Sequence, residues 1–173
     1  IMKERCYDTM FSGCEALTEA PELPATTLAA YCYHEMFAGC SSLITAPELP
    51  ATVTAEFCYC DMFEDCEALT TVPSILPATE LTHQCYDGMF HGCSSLTTAP
   101  ELPATTLADF CYSGMFGGCS KLNSVKVAFT AWNGYCTSLW LSDAGTDSSV
   151  TTHTFACPAA LQPAGTMSGG SED

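Results

Sequence analysis

The chain has 173 residues, of which 47% are hydrophobic and 14% charged. This apolar content is enough for one folded domain and excludes a disordered chain. Twenty acidic residues stand against four Lys and Arg, which gives a net charge of −16. That charge disfavours nucleic acid and anionic membranes as partners, because both need basic side chains, and no apolar run is long enough for membrane insertion.

A 26-residue repeat dominates the sequence. A Met-Phe pair recurs from Met10-Phe11 to Met115-Phe116 in steps of 26, 26, 27 and 26 residues. A cysteine and a tyrosine precede each pair, and a second cysteine follows it. The first cysteine column is Cys6, Cys32, Cys58, Cys85 and Cys111, the second is Cys14, Cys40, Cys66, Cys93 and Cys119, and the tyrosine column is Tyr7, Tyr33, Tyr59, Tyr86 and Tyr112. A fixed period of this length is typical of a solenoid.

Each unit predicts three short elements in chain order. In LAAYCYHEMFAGC (28–40) the apolar residues have roughly helical spacing, which predicts a short helix that ends at a left-handed Gly39. SLITAP then predicts a short strand with Leu43 and Ala46 pointing inward, and Pro47 ends its pairing. ELPATT predicts a proline turn. Stacked units would form a parallel sheet, so the sequence predicts an α/β solenoid of about five units over residues 1–129.

The repeated phrases MFAGCSSL, MFHGCSSL and MFGGCSKL resemble the BspA-like leucine-rich repeats of bacterial surface proteins, particularly those of gut Bacteroidetes. The resemblance implies a right-handed leucine-rich-repeat solenoid, an extracellular or cell-surface setting, and a role in adhesion or recognition. This chain departs from the pattern where a proline follows the Ala46 position, which shortens the strand.

The resemblance also implies a C-terminal cap over residues 130–161, where WLSDAG precedes TFAC. Residues 162–173, which contain MSGGSED, predict a disordered tail. Cys136 and Cys157 both lie in the cap and are a candidate disulfide pair.

The two cysteine columns leave two interpretations open. Cysteine packs well in a core as a small apolar side chain. Disulfides are the alternative, because stacked strands lie about 4.8 Å apart and disulfide Cα atoms about 4.4–6.8 Å apart. Cys60 lies outside both columns and is interpreted as a lone thiol.

The sequence predicts no metal site, no cofactor and no enzymatic activity. CYCDMFEDC (58–66) is a weak zinc candidate, since Cys58 and Cys66 have core equivalents in other units, and its acidic residues lack the EF-hand spacing for calcium. The motifs HExxH and GxSxG are absent. A His91–Cys93 dyad is weakened because Cys93 belongs to a core column. The four histidines stand in different columns: His34, His83, His91 and His153.

The tyrosine column is the candidate binding site, because each tyrosine follows an inward cysteine and could point outward. The alternative is that the rings cover the core along one flank. The function expected is a non-catalytic extracellular recognition or adhesion module for a protein or glycan. The alternative function is a structural spacer or filament subunit that self-associates end to end through an uncapped N-terminal unit.

Overall fold

The computed structural model describes residues 2–133 and 135–161. Its regular elements within those residues are β1 (Ser124–Lys126), β2 (Thr154–Ala156) and a 3-10 helix (Ala159–Leu161). β1 and β2 pair in parallel. The rest of the described chain is turns, isolated bridges and irregular backbone, and none of its helices could cross a membrane. The predicted α/β leucine-rich-repeat solenoid is therefore wrong: the described chain has no α-helix and only two three-residue strands.

The segment predicted as a helix is instead a series of overlapping turns. Within the second unit, alternate N–H groups bond three residues back, as from Cys32 to Ala29 and from Met36 to Tyr33. Every fourth residue has a left-handed φ, for example +56° at Tyr31 and +72° at Gly39. A left-handed residue in each turn interrupts an α-helix, so Gly39 is left-handed as predicted but ends no helix. We call these segments turn ribbons; they cover residues 3–14, 29–40, 55–66, 82–93, 108–119 and 135–144.

The remaining N–H groups of each turn ribbon bond to the next unit. The N–H of Tyr33 donates to the carbonyl of Cys58 at 3.0 Å, and that of Phe37 donates to the carbonyl of Met62 at 2.9 Å. The N–H groups along a ribbon therefore alternate between a carbonyl of their own unit and a carbonyl of the following unit. This alternation satisfies a buried backbone without a helix or a sheet.

The core is a set of side-chain columns that run through successive units. The Phe columns stack with ring centroids 5.5–5.7 Å apart from Phe11 to Phe116. Met, Leu and both cysteine columns are fully buried in the second to fourth units, and Leu43 and Ala46 point inward as predicted. In the first unit the same columns are more exposed: 57% of Met10 and 41% of Tyr7 are accessible to solvent.

Proline explains why the predicted strands shrink to single bridges. Thr45 pairs with Glu19 and Thr71 through isolated parallel bridges, and Pro47 follows two residues later. Proline has no N–H and cannot extend such pairing. In the fifth unit Lys126 takes the proline position, and there the three-residue strand β1 forms.

The repeat continues into the segment predicted as a cap. The N–H of Tyr112 donates to the carbonyl of Cys136, and that of Phe116 to the carbonyl of Trp140, which places residues 135–144 in register with the fifth ribbon. Trp140 takes the place of the buried Met115, and its Nε1 has no hydrogen-bond partner among the described residues. The predicted disordered tail, residues 162–173, lies outside the described residues.

We predict that Gly118 tolerates asparagine much better than valine. Its φ is +71°, and an added Cβ would meet only the Gly92 backbone at an ordinary 3.5 Å. The loss of stability on substitution therefore depends on how well the new residue adopts this φ. Valine should lower the free energy of unfolding by about 2 kcal/mol or more, whereas asparagine, which accepts left-handed φ, should cost less than about 1 kcal/mol. Urea denaturation of Gly118→Val and Gly118→Asn measures the difference; equal losses would refute the turn ribbon at this position.

Candidate functional site

The tyrosine column proposed as a binding surface is mostly interior. Tyr33, Tyr59, Tyr86 and Tyr112 are at most 2% exposed, and only Tyr7 reaches solvent. Their rings stack on one another with centroids 5.5–6.0 Å apart. Burial raises the pKa of Tyr33 to about 12 and that of Tyr59 well above its ordinary value. The four buried rings cover the core and offer no surface to a ligand.

The second cysteine column has a specific bonding role. The thiol of Cys66 donates to the carbonyl of Phe37 at 3.2 Å, and that of Cys93 donates to the carbonyl of Phe63 at 3.1 Å. Each of these carbonyls also accepts an N–H of its own unit, from Cys40 and Cys66 respectively. The thiol therefore occupies the second acceptor position of a buried carbonyl. A small apolar side chain with a weak donor suits this place.

All thirteen cysteines have free thiols in the structure, and Cys6 and Cys14 of the first unit are exposed. Cys136 is buried and continues the first cysteine column, whereas Cys157 is partly buried near the end of the described chain. Their disulfide stays a prediction.

No histidine is bonded to a column cysteine among the described residues. His91 is half exposed and lies 3.9 Å from a carboxylate oxygen of Glu64, while the Cys93 thiol bonds the carbonyl of Phe63. Burial raises the pKa of the column thiols in the second to fifth units, to about 11 at Cys32 and about 12 at Cys66. A nucleophilic cysteine needs a lowered pKa, so these thiols are structural.

A different row of aromatic side chains does reach the surface. We call it the aromatic stripe; it consists of Tyr31, Phe57, His83, Phe110 and Tyr135. Its neighbouring ring centroids lie 4.5–5.8 Å apart, and 68% of Tyr135 is exposed while the other four are partly exposed. Sequence reasoning missed it, although four of its members directly precede the first cysteine of their units.

The stripe is held in an unfavourable backbone conformation. Tyr31, Phe57 and Phe110 have φ values of +56°, +55° and +57°. A bulky side chain at positive φ is rare and costs about 1–3 kcal/mol. Glycine would remove this cost, as it does at Gly39 and Gly92 elsewhere in the ribbons. The same left-handed φ recurs at polar ribbon positions such as Glu35 and Asp61, so it belongs to the turn ribbons as a whole.

One end of the stripe already holds a cation. The guanidinium carbon of Arg5 lies 4.2 Å from the centroid of the Tyr31 ring, and the same guanidinium bonds Asp8 at 2.8 Å. Exposed carboxylates also precede Phe57 and Phe110, at Glu56 and Asp109. The stripe therefore combines aromatic rings with negative charge.

A surface groove of about 500 Å³ lies elsewhere, between the proline turns of the first two units. Pro24 and Pro47 line it, and its only ionisable lining residues are Glu19, Glu22 and Glu48. Glu22 and Glu48 occupy the same position in successive units. Carboxylates alone, without a histidine or cysteine, supply no nucleophile–base pair.

No protein family, curated protein or solved structure matches this chain. Its function therefore has to be argued from its own geometry.

We predict that the free energy of unfolding falls steeply as the pH rises above the ordinary pKa of a thiol. Ten thiols have a pKa raised by burial above the ordinary 9.0, so between that value and the folded-state pKa the native chain holds more protons than the unfolded chain. The free energy of unfolding is then intact below about pH 9 and falls above it, by about 1.4 kcal/mol per pH unit for each thiol. The ten are Cys32, Cys40, Cys58, Cys60, Cys66, Cys85, Cys93, Cys111, Cys119 and Cys136.

Urea denaturation under reducing conditions from about pH 8 to pH 11 measures the slope. Cys93→Ala should make it shallower by about one proton, while Cys14→Ala, which alters an exposed thiol, should leave it unchanged. A stability that stays constant to about pH 10.5 would contradict the buried, free-thiol columns.

Proposed function

We propose that this chain is a non-catalytic recognition module that binds a basic segment of a protein partner along the aromatic stripe. The observation that carries the proposal is the row of stacked aromatic side chains on a solvent-facing surface, three of which are kept at left-handed φ. The stacking of the rings on one another offsets part of the backbone cost, by about 0.5–1.5 kcal/mol for each pair. A ligand that binds to the rings would explain why aromatic residues stand at positions whose left-handed φ costs less free energy with glycine.

The chemistry of the partner follows from the cation that the stripe already holds. Arg5 lies on Tyr31 and pairs with Asp8, so one aromatic ring and one carboxylate together hold a guanidinium. Phe110 has an exposed carboxylate beside it at Asp109, and Tyr135 continues the stripe beyond it. Guanidinium groups stack on aromatic faces better than ammonium groups do. A net charge of −16 would speed the approach of a basic partner.

A glycan fits the stripe less well than a basic protein segment. A sugar ring packs against an open aromatic face, but Tyr31 and Phe57 lie face to face with centroids 4.5 Å apart. His83 stands edge-on to Phe57 and Phe110. A flat guanidinium needs less open ring face than a sugar ring does, and unlike a neutral sugar it also pairs with the flanking carboxylates Glu56 and Asp109.

The setting of the module is part of the same proposal. The phrases MFAGCSSL and MFGGCSKL resemble BspA-like repeats, which supports a place outside the cell or at the cell surface. Free thiols are stable only under reducing conditions or when shielded from oxidants. The burial of both cysteine columns in the middle units provides that shielding.

We predict that a labelled oligoarginine peptide binds this chain more tightly than an oligolysine peptide of the same length at about 0.15 M salt. The double variant Phe57→Gly/Phe110→Gly removes two rings and relieves two positive φ angles. It should weaken oligoarginine binding about tenfold, since each lost cation–π contact contributes about 0.5–1 kcal/mol. Fluorescence anisotropy gives the dissociation constants.

Tyr59→Phe is the matched control, because it changes a buried ring outside the stripe and should leave binding unchanged. Oligoarginine binding that survives loss of both rings would mean that net charge alone attracts the peptide, and the proposal would fail. A β-glucan oligosaccharide that binds in a stripe-dependent way, in place of oligoarginine, would replace the protein partner with a glycan.

A further inference from the structure

A second row of chemistry-bearing residues lies on the outer side of the turn ribbons. Two positions after the first cysteine, four successive units carry Asp8, His34, Cys60 and Asp87. In the fifth unit the same position is Ser113. The fold does not need a cysteine here, because both cysteine columns lie at other positions of the ribbon. Stacking of the units places these unlike side chains next to one another.

Three of the side chains in this region converge on one point. Ligand atoms of His34, Cys60 and Asp61 all lie within 4.8 Å of one another. Cys60 is only 5% exposed, and its thiol donates to Oδ2 of Asp61 at 3.2 Å. A thiol and a carboxylate that share a proton at this distance can also share a cation. The convergence comes from two units, since His34 belongs to the second and Cys60 and Asp61 to the third.

The imidazole of His34 is oriented from its other side. Its Nδ1 lies 3.0 Å from Oδ1 of Asp8, and its Nε2 lies 3.4 Å from Oε1 of Glu35. A carboxylate bonded to one ring nitrogen fixes the tautomer and leaves the other nitrogen free to ligate. Asp8 therefore fits the part of an orienting group, and Glu35 stands beside the ligating nitrogen.

We propose that His34, Cys60 and Asp61 form a three-ligand binding site for a single zinc-type divalent cation, with Asp8 as a positioning residue and the fourth position left to solvent. Metal–ligand distances of about 2.0–2.3 Å place tetrahedral ligands roughly 3.3–3.8 Å apart. The separation of 3.2 Å between the Cys60 and Asp61 ligand atoms is close to that range, and a ring nitrogen of His34 lies within 4.8 Å of both. On binding, the metal replaces the Cys60 proton, which leaves to solvent.

The donor types select the class of metal. One thiolate and one imidazole favour zinc or a similar transition ion, whereas calcium and magnesium take oxygen ligands only. The carboxylate of Asp61 is the third protein ligand, and Glu35 places a further negative charge beside Nε2 of His34. Asp87 lies nearby but already accepts a bond from Gln84 Nε2 at 2.6 Å, so it contributes negative charge near the site.

Sequence reasoning missed this site because it looked within one unit. The stretch 58–66 offers Cys58, Cys60 and Cys66 as an apparent zinc set, but Cys58 and Cys66 are buried core cysteines, and Cys66 bonds the carbonyl of Phe37. The missing ligand, His34, and the adjacent Glu35 come from the preceding unit. Only the register between units brings them to Cys60.

Cobalt(II) is the probe that tests the proposal, because a thiolate ligand gives it a near-ultraviolet charge-transfer band and a tetrahedral site gives it intense visible bands. The protein is the full chain, reduced and freed of metal, with the exposed cysteines replaced by Cys6→Ser and Cys14→Ser. We expect one equivalent of cobalt to bind with both signals, and zinc to displace it.

Three variants in that background separate a built site from chance binding. Cys60→Ser should abolish the charge-transfer band while the chain stays folded, since Ser113 occupies the same position in the fifth unit. Asp8→Asn should keep the band and weaken cobalt binding about 10–100-fold, as loss of an orienting group does. His91→Gln alters a histidine–carboxylate pair that includes no cysteine, so this variant should show the same charge-transfer band and cobalt affinity as the parent.

Two results would overturn the site. One is a charge-transfer band that persists in Cys60→Ser, which would show that other thiols bind the cobalt. The other is the lack of saturable cobalt binding by the parent chain. This result would show that the cluster binds no metal and that Cys60 and Asp61 only hydrogen-bond to each other.

Discussion

The structure depends on how the turn ribbons divide their backbone hydrogen bonds. Along each ribbon one N–H bonds three residues back and the next donates to the following unit, as Cys58 and Tyr59 do. Neither set is sufficient alone: without the next unit, half of the N–H groups in a buried ribbon would lack partners, at about 1–3 kcal/mol each. The units therefore stabilise one another through the backbone first. The Met, Phe, Tyr and Cys columns then fill the space that this backbone encloses.

The same stacking creates the outer surface. Because each ribbon position recurs above the last, any side chain that points outward joins a row that crosses several units. Where the row is aromatic, as at Tyr31, Phe57 and Phe110 with His83 supplying the ring beside Gln84, it makes a stripe suited to a guanidinium. Where it is mixed, as at His34 and Cys60, it brings donors from different units to one point. Variation between repeats therefore gives this chain its chemistry, and the constant positions give it its core.

The repeat period, the inward cysteines and the burial of Leu43, Met62 and Phe63 could be predicted from the sequence, since a recurring apolar position has to be covered. The helix could not be excluded: buried pairs such as Cys32-Tyr33 and Met36-Phe37 recur every four residues, close to the 3.6 of an α-helix. The turn ribbon differs from an α-helix in the left-handed φ at Tyr31 and Glu35, and neither residue type indicates such a φ in the sequence. An outward tyrosine column assumes alternation after an inward cysteine, but the ribbon buries two consecutive residues, so the alternative that the rings cover the core is the one that holds. The stripe and the metal cluster require the register between units, which no single unit encodes.

The hydrogen bonds of the third ribbon are the most direct test of this account. A long-range HNCO experiment detects the coupling between an amide nitrogen and the carbonyl carbon that accepts its hydrogen. If the ribbons bond as described, cross-peaks connect the amide of Tyr59 to the carbonyl of Cys85, and the amide of Phe63 to the carbonyl of Met89. Cross-peaks from these amides to carbonyls four residues back would show an α-helix and contradict it.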